Sequence, residues 1–358
     1  MKKISSENST IICNDGSWDY LNTYINTLNP SKIFVLTDSE TKKHCLPLFL
    51  KNTFFSSLEI ITIPIGEEHK TIDTCLLVWN QLSQNGADRQ SVLLNLGGGV
   101  VTDLGGFVAS TYQRGISFIN IPTSLLAMVD ASIGGKNGVD LGQLKNQIGI
   151  IRDPKLVLID ITFLNTLPKA HVRSGMAEMI KHGFISSEKY LEKTWGFSLQ
   201  NKTEATELIW ESIKIKKKIV TQDPTENGIR KALNYGHTLG HAIESFFLNP
   251  SYKKTLLHGE AIAIGLILET YISTHLLGFS EEKRNVITSK MNRIFPKVSF
   301  SSHEIDEIIK LLIFDKKNSH GIVQFVLLTD IGAPITMGTV SNDIIKNAFK
   351  FYKIFMAE

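Results

Sequence analysis

The chain has 358 residues, 42% of them hydrophobic and 20% charged, which excludes a disordered chain and allows two domains with ordinary cores. The 38 Lys and Arg against 35 Asp and Glu leave +3, too little for a generic nucleic-acid or membrane binder. Three cysteines, Cys13, Cys45 and Cys75, are an odd number without metal-ligand spacing, which argues against a disulfide framework and for a reducing compartment. In "MKKISSENST" polar residues stand where a signal peptide needs its apolar segment, and no apolar run is read as approaching the roughly 18 residues of a membrane span, so a cytoplasmic protein is expected.

In chain order, "KIFVLTD" (32–38) is a short apolar run ending in Thr-Asp, and "LEIITIPIGEEHK" (58–70) is a second, with a helix-length segment between them. "SVLLNLGGGVVTDLGGFVAS" (91–110) repeats the rhythm as a buried-type strand, a triple-glycine turn and a helical pattern, and "ISFINIPTSL" (116–125) and "KLVLID" (155–160) add strands. Residues 1–165 therefore read as an α/β, Rossmann-like domain with a mostly parallel sheet. After "FLNTLP" (163–168) the period changes to 3.6, through 174–185, 205–220, 231–247 and 258–277, so 166–358 reads as a mainly α-helical domain.

Several stretches carry candidate chemistry, each with a plainer alternative. Gly97, Gly98 and Gly99 after a strand bring backbone N–H groups to a pyrophosphate or simply make a tight turn; Thr102 stands where the third glycine of a dinucleotide fingerprint would. Asp38 suits a ribose hydroxyl or a surface turn. "VDASIGGKNGVDLGQLKNQIG" (129–149) sets Asp130, Lys136, Lys145 and Asn146 among glycines, as a polyanion site or a solvated loop, and the apolar run before it carries Asp130 inward.

Glu178 and Lys181 lie three residues apart, the spacing of an intrahelical ion pair. In "LNYGHTLGHAIE" (233–244), His237 and His241 fall one turn apart on a single helix face; with Glu178 and His258 they offer one Glu and two or three His, a sound zinc ligand set with an open position, or all three histidines are structural. Arg230, Asn234, His237 and His241, at spacings of 4, 3 and 4, read as one continuous helical face, too polar for a core and suited to an acidic ligand beside a metal. Lys214, Lys216, Lys217 and Lys218 are mostly a solvated face, and Lys316 and Lys317 of "FDKKN" taken alone are surface lysines.

These residues resemble the 3-dehydroquinate synthase family, through "GEEHK", "GGGVVTDLGGFVAS", "YQRG", "PTSLLAMVDASIGGKNGVD", "LKNQIG", "GMAEMIKHG", "GIRKALNYGHTLGHAIE", "LHGEA" and "DKKN", in order over nearly the whole chain. The resemblance implies an NAD domain, a helical metal domain, a cleft between them, a homodimer, and zinc or cobalt held by Glu178, His237 and His258. It implies NAD contacts at Asp38, Glu67, Lys70, Gly98, Gly99, Val100, Asp103, Thr123, Ser124, Lys136, Lys145, Phe163, Thr166 and Leu167. It assigns the substrate phosphate to Lys136, Asn146, His241 and Lys316 or Lys317, with Arg114 reaching in from the partner subunit. Lys216, Arg230 and Asn234 match carboxylate and hydroxyl contacts, and Asp130 and Lys181 match groups near the reacting hydroxyls.

The implied reaction is that of a phosphate-eliminating carbon–oxygen lyase of the shikimate pathway, which leads to chorismate and the aromatic amino acids. It converts 3-deoxy-D-arabino-heptulosonate 7-phosphate to 3-dehydroquinate by transient oxidation with NAD, phosphate elimination, re-reduction and an intramolecular aldol closure. Rival readings are another sugar-phosphate cyclase, such as a 2-deoxy-scyllo-inosose or valiolone synthase, and a metal-dependent polyol dehydrogenase. A non-catalytic nucleotide-binding or metal-storage module has no use for the Lys, Arg and Asn set. Arg230 and Asn234 favour an acidic substrate, because a buried guanidinium without its anion is costly.

Overall fold

In the computed structural model, the residues described are all except 56, 143, 249–255, 315–322 and 358. They form two units: Met1–Pro168 with Ser198–Ile213, and Lys169–Phe197 with Lys214–Glu358. One segment from the second half thus belongs with the first. It is tied there by Asn14, whose amide donates to Thr206 Oγ1 at 2.8 Å, and by a Lys2–Glu207 ion pair at 2.7 Å.

The first unit contains β1 (Lys2–Ser5), β2 (Thr10–Cys13), α1 (Ser17–Leu28), β3 (Ile33–Asp38), α2 (Ser39–His44), α3 (Leu46–Asn52), β4 (Glu59–Ile63), α4 (Ile72–Gln84), β5 (Val92–Gly97), α5 (Gly99–Thr111), β6 (Ser117–Pro122), β7 (Lys136–Leu141), β8 (Leu144–Ile151) and β9 (Leu156–Ile159). Seven strands form one sheet in the order β1-β2-β9-β6-β5-β3-β4, parallel except for β1 against β2. Strands such as β5, buried along its whole length, are apolar on both faces because helices cover both, and Phe34, Leu36, Leu93, Val101, Leu104 and Phe118 share one core cluster. From β3 the chain goes outward to β4 and returns to β5 on the other side of β3. This is the topological switch point where doubly wound sheets bind ligands at their carboxyl ends.

The sequence leaves 129–149 open as a solvated loop, and the structure makes most of it a hairpin of β7 and β8. Gly138 and Gly149 face each other across it, and a Cβ on Gly138 would lie 2.6 Å from the Ile148 carbonyl oxygen. The glycines there serve close strand approach.

The second unit contains α6 (Lys169–Ser186), α7 (Glu188–Thr194), the latter part of α8 (Lys202–Gln222), a 3-10 segment (Ile229–Asn234), α9 (His237–Phe247), α10 (His258–Leu277), α11 (Glu281–Ile294), α12 (Ser302–Leu311), the antiparallel pair β10 (Phe325–Leu328) and β11 (Pro334–Met337), and α13 (Asn342–Ala357). The helix read over 231–247 is therefore two pieces, and Arg230 and Asn234 do not share a helix with the histidines. The break is at Gly236, whose φ of +77° suits glycine, and where α9 and α10 pack so closely that a Cβ on Gly265 would lie 2.0 Å from the Gly236 carbonyl oxygen.

One expectation about apolar runs fails. By length and composition α10, 20 residues with an 18-residue stretch of mean hydropathy 1.3, is apolar enough to cross a membrane, but 72% of that stretch is buried inside the protein. Helices α6, α9, α11 and α13 and strand β10 pack around it, which is why it is apolar on all sides.

Candidate metal and cofactor sites

In the first unit, the carboxyl ends of β3 and β5 lie side by side, since Leu36 pairs with Asn95 two residues before Asp38 and Gly97. Gly98 is the N-cap of α5 and supplies no side-chain cap, so the first-turn N–H groups of Gly99 and Val100 have the character that suits an anion. Thr102 does not spoil the turn: its hydroxyl folds back to the Gly98 and Gly99 carbonyls at 3.2 and 3.1 Å. The glycine that admits close helix–strand packing is Gly105, where a Cβ would lie 2.0 Å from Asn95 Oδ1. Asp38 Oδ1 is committed to capping α2 through the Thr41 N–H at 2.7 Å.

Beside this turn lies a paired charge network. Lys70, only 3% exposed, reaches Asp103 at 3.2 Å and Glu67 at 3.3 Å, and Lys145 reaches Glu67 at 3.1 Å. Burial alone would push the Lys70 ammonium pKa down, but Glu67, Asp103 and Asp140 outweigh it and hold it above the ordinary lysine range. Thr123 is buried and its N–H donates to the Gly97 carbonyl at 2.9 Å, while Ser124 Oγ accepts from the Ala127 N–H at 3.3 Å. Phe163 is buried edge-on against Trp18, Leu167 is half-buried and Thr166 is exposed. Lys136 and Asn146 are exposed on the hairpin, where the Asn146 N–H donates to Asp140 Oδ1 at 2.6 Å, and Asp130 lies in the π-helical turn Ala127–Ala131. Arg114 is exposed on a turn where Gln113 and Arg114 both have positive φ, 47° and 68°, a strained shape for non-glycine residues.

In the second unit, α6, α9 and α10 bring Glu178, His237, His241 and His258 together. The donor atoms of the three histidines lie within 4.8 Å of one another. Glu178 is 0% exposed, and neither carboxylate oxygen accepts a hydrogen bond, although Lys181 one turn away forms an ion pair with Oε2. Its Oε1 lies 3.4 Å from His237 Nε2 and 3.8 Å from His258 Nε2.

The tautomers follow from the partners on the far side of each ring. His237 Nδ1 faces the Tyr235 carbonyl at 3.1 Å and His258 Nδ1 faces the Glu244 carboxylate at 3.0 Å. A carbonyl or a carboxylate can only accept, so Nδ1–H donates and, in the neutral ring, the Nε2 lone pair is turned toward Glu178. Around a tetrahedral first-row metal with bonds near 2.1 Å, neighbouring donors stand about 3.4 Å apart. One carboxylate oxygen and two imidazole lone pairs at these separations fit a divalent cation, which would satisfy the buried Oε1 atom that Lys181 does not reach.

The surrounding cations sort by burial. Of the lysine cluster on α8, Lys216 is 6% exposed while Lys214 and Lys218 face solvent. Arg230 is 2% exposed, and its guanidinium donates to the Pro224 carbonyl at 2.6 Å. Its loop is organised by Asp223, which accepts from the N–H groups of Asn227, Gly228 and Arg230 at 3.1, 2.7 and 3.0 Å. Burial would raise the Asp223 pKa, but these amides hold it below the ordinary range. Asn234 donates to Glu226 at 2.9 Å. Lys316 and Lys317 lie outside the described residues.

Several acidic groups escape sequence reading. Glu269, fully buried on α10, accepts from the N–H groups of Gly236 and Leu239 at 2.7 and 3.0 Å and so caps α9, which has no N-cap side chain of its own. Glu244 and Asp223 are two others. For Glu244 alone a local signal exists, since it follows His241 by three residues on the same helical face.

The family descriptions 3-dehydroquinate synthase N-terminal and 3-dehydroquinate synthase C-terminal match residues 60–174 and 175–318. The chain is similar to the 3-dehydroquinate synthase of Parabacteroides distasonis, with 40% identity over 351 residues, 97% of this chain and 98% of that one. It is similar in fold to 2-deoxy-scyllo-inosose synthase complexed with carbaglucose-6-phosphate, NAD+ and Co2+, with a TM-score of 0.81 at 24% identity, covering 98% of this chain and 99% of that chain. The same TM-score, 0.81 at 22% identity, relates it to the 2-epi-5-epi-valiolone synthase of Streptomyces hygroscopicus with NAD+ and Zn2+, covering 99% of this chain and 98% of that one.

Proposed function

The chain belongs to the 3-dehydroquinate synthase family, and on that premise we propose how its residues divide the conversion of 3-deoxy-D-arabino-heptulosonate 7-phosphate to 3-dehydroquinate and phosphate. The observation that carries the reading is the buried Glu178 carboxylate facing two histidine Nε2 atoms whose Nδ1 atoms are already engaged. When bound, NAD and a divalent metal, zinc or cobalt, supply a transient oxidation at C5 that acidifies the C6 proton, lets phosphate leave C7, and is then reversed.

Glu178, His237 and His258 hold the metal. Lys181 neutralises the second Glu178 oxygen and, with Asp130, holds protons at the reacting hydroxyls. Arg230 grips the substrate carboxylate in the bidentate fashion open to a guanidinium, with Lys216 and Asn234 on the carboxylate and neighbouring hydroxyls. His241, Lys136, Asn146 and one of Lys316 and Lys317 bind the phosphate, whose charge grows as it leaves, so cations and donors there lower the barrier to elimination.

The paired Lys70, Glu67, Asp103 and Lys145 network, the Gly98–Val100 turn, Asp38, Thr123, Ser124, Lys136, Phe163, Thr166 and Leu167 hold NAD. Arg114, on its strained exposed turn, serves the phosphate site of a second subunit in a cytoplasmic homodimer.

The test is phosphate release by metal-reconstituted protein given the heptulosonate phosphate and a trace of NAD. Many phosphates per NAD, with dehydroquinate formed and no lasting NADH, are expected. NADH accumulating without phosphate would replace the reading with a polyol dehydrogenase, and turnover of glucose 6-phosphate in place of the acidic substrate would replace it with another cyclase.

A further inference from the structure

We propose that Glu244 is a positioning residue for the metal, acting through His258; the proposal rests on the reading of Glu178, His237 and His258 as the ligand set. The two histidines are held differently. His237 is nearly buried at the start of α9, and its ring is fixed by the Tyr235 carbonyl two residues away on its own chain. His258 is the first residue of α10, its side chain is 25% exposed, and its bond is to Glu244, 14 residues back on another helix. The His258 ring is more exposed than that of His237, and the Glu244 carboxylate holds its Nδ1 side. Glu244 itself is 4% exposed and held on the rigid α9 face that carries His237 and His241.

The charge balance points the same way. Glu178 is offset by Lys181, so one carboxylate and one ammonium leave a dication uncompensated. Glu244 adds one negative charge at one remove, and as an anion behind the ring it makes His258 a more basic ligand than a neutral acceptor would. Its hydrogen bond also fixes the tautomer that presents the Nε2 lone pair to the metal.

The experiment is competition for Co2+ between the full-length protein and a chelator of known affinity, on the wild type, Glu244→Gln, Glu244→Ala and Glu178→Ala. The visible Co2+ spectrum and the thermal midpoint of each metal-free protein are recorded alongside. Glu244→Gln is expected to weaken Co2+ about tenfold and Glu244→Ala up to about a hundredfold, with altered absorption bands and Glu178→Ala weaker still.

Both Glu244 variants within twofold of wild type, with Glu178→Ala impaired, would overturn the positioning role and leave the ligand set standing. Glu178→Ala binding like wild type, or a wild type that binds no Co2+, would remove the ligand set and the proposal with it. If the variants do not fold, the ring 15N shifts of His258 in the metal-free wild type decide instead: an Nδ1–H tautomer is required, and an Nε2–H tautomer refutes the proposal.

Discussion

The two units hold their buried charges differently. In the sheet unit, Lys70 is surrounded by Glu67, Asp103 and Asp140, and Lys145 also reaches Glu67, so two ammoniums and three carboxylates are tied to one another. In the helical unit, Glu178 is fully buried with the Lys181 ammonium on its Oε2, while its Oε1 faces the Nε2 atoms of His237 and His258. Charges tied to one another need no further ion, whereas a carboxylate oxygen and two imidazole lone pairs that face one another are completed by a cation. On the proposed reading, this difference separates a unit that receives a dinucleotide from one that holds a metal.

Glu178→Ala is the sharpest way to break the contrast. It is expected to lower phosphate release at least about a hundredfold while leaving NAD binding, measured by fluorescence titration, nearly unchanged. Equal loss of both would show that the two units are not chemically separable.

Glu269→Ala comes next, because it leaves two buried N–H groups at the start of α9 unsatisfied. A loss of roughly 2–4 kcal/mol is expected from urea unfolding followed by far-UV circular dichroism. A change under about 0.5 kcal/mol would show that the cap is incidental.

Arg230→Lys keeps the charge and removes the planar fork, so the KM for the carboxylate-bearing substrate should rise about tenfold with Co2+ affinity unchanged. An unchanged KM would take Arg230 off the carboxylate.

The smallest effect sharpens the comparison from the sheet side, where all three cysteines lie. Burial pushes the Cys13 and Cys75 thiols up to about 12 and, despite a bond with Thr123, Cys45 up to about 11. Because the folded values exceed the unfolded one, their stabilising contribution is complete below the unfolded pKa near 9 and is lost as pH rises through the folded values. Alkylation at pH 8 should be negligible in the native protein and reach all three thiols in urea. If metal removal by itself exposes them, the units do not open independently.

Much of this was legible in the residue pattern. Runs such as "KIFVLTD" are apolar because helices cover both sheet faces, and that constraint is written locally. The histidines at i and i+4 were legible for the same reason, since helical spacing alone puts His237 and His241 on one face. The 231–247 stretch was misread because periodicity passes smoothly through Tyr235 and Gly236. What breaks it is the close approach of α10, an interaction with residues thirty positions away along the chain.

The sequence by itself determined the α/β-then-helical order, the glycine turn after β5, and the identity of Glu178, His237, His241 and His258 as residues of interest, because turn chemistry and hydrophobic period are local properties. Only the tertiary structure decided that Lys216 and not Lys214 is buried, that Glu269 caps the histidine helix, and that Glu244 stands behind His258. Each of these depends on which polar group meets which across packed helices, where satisfying a buried donor or charge outweighs any local preference.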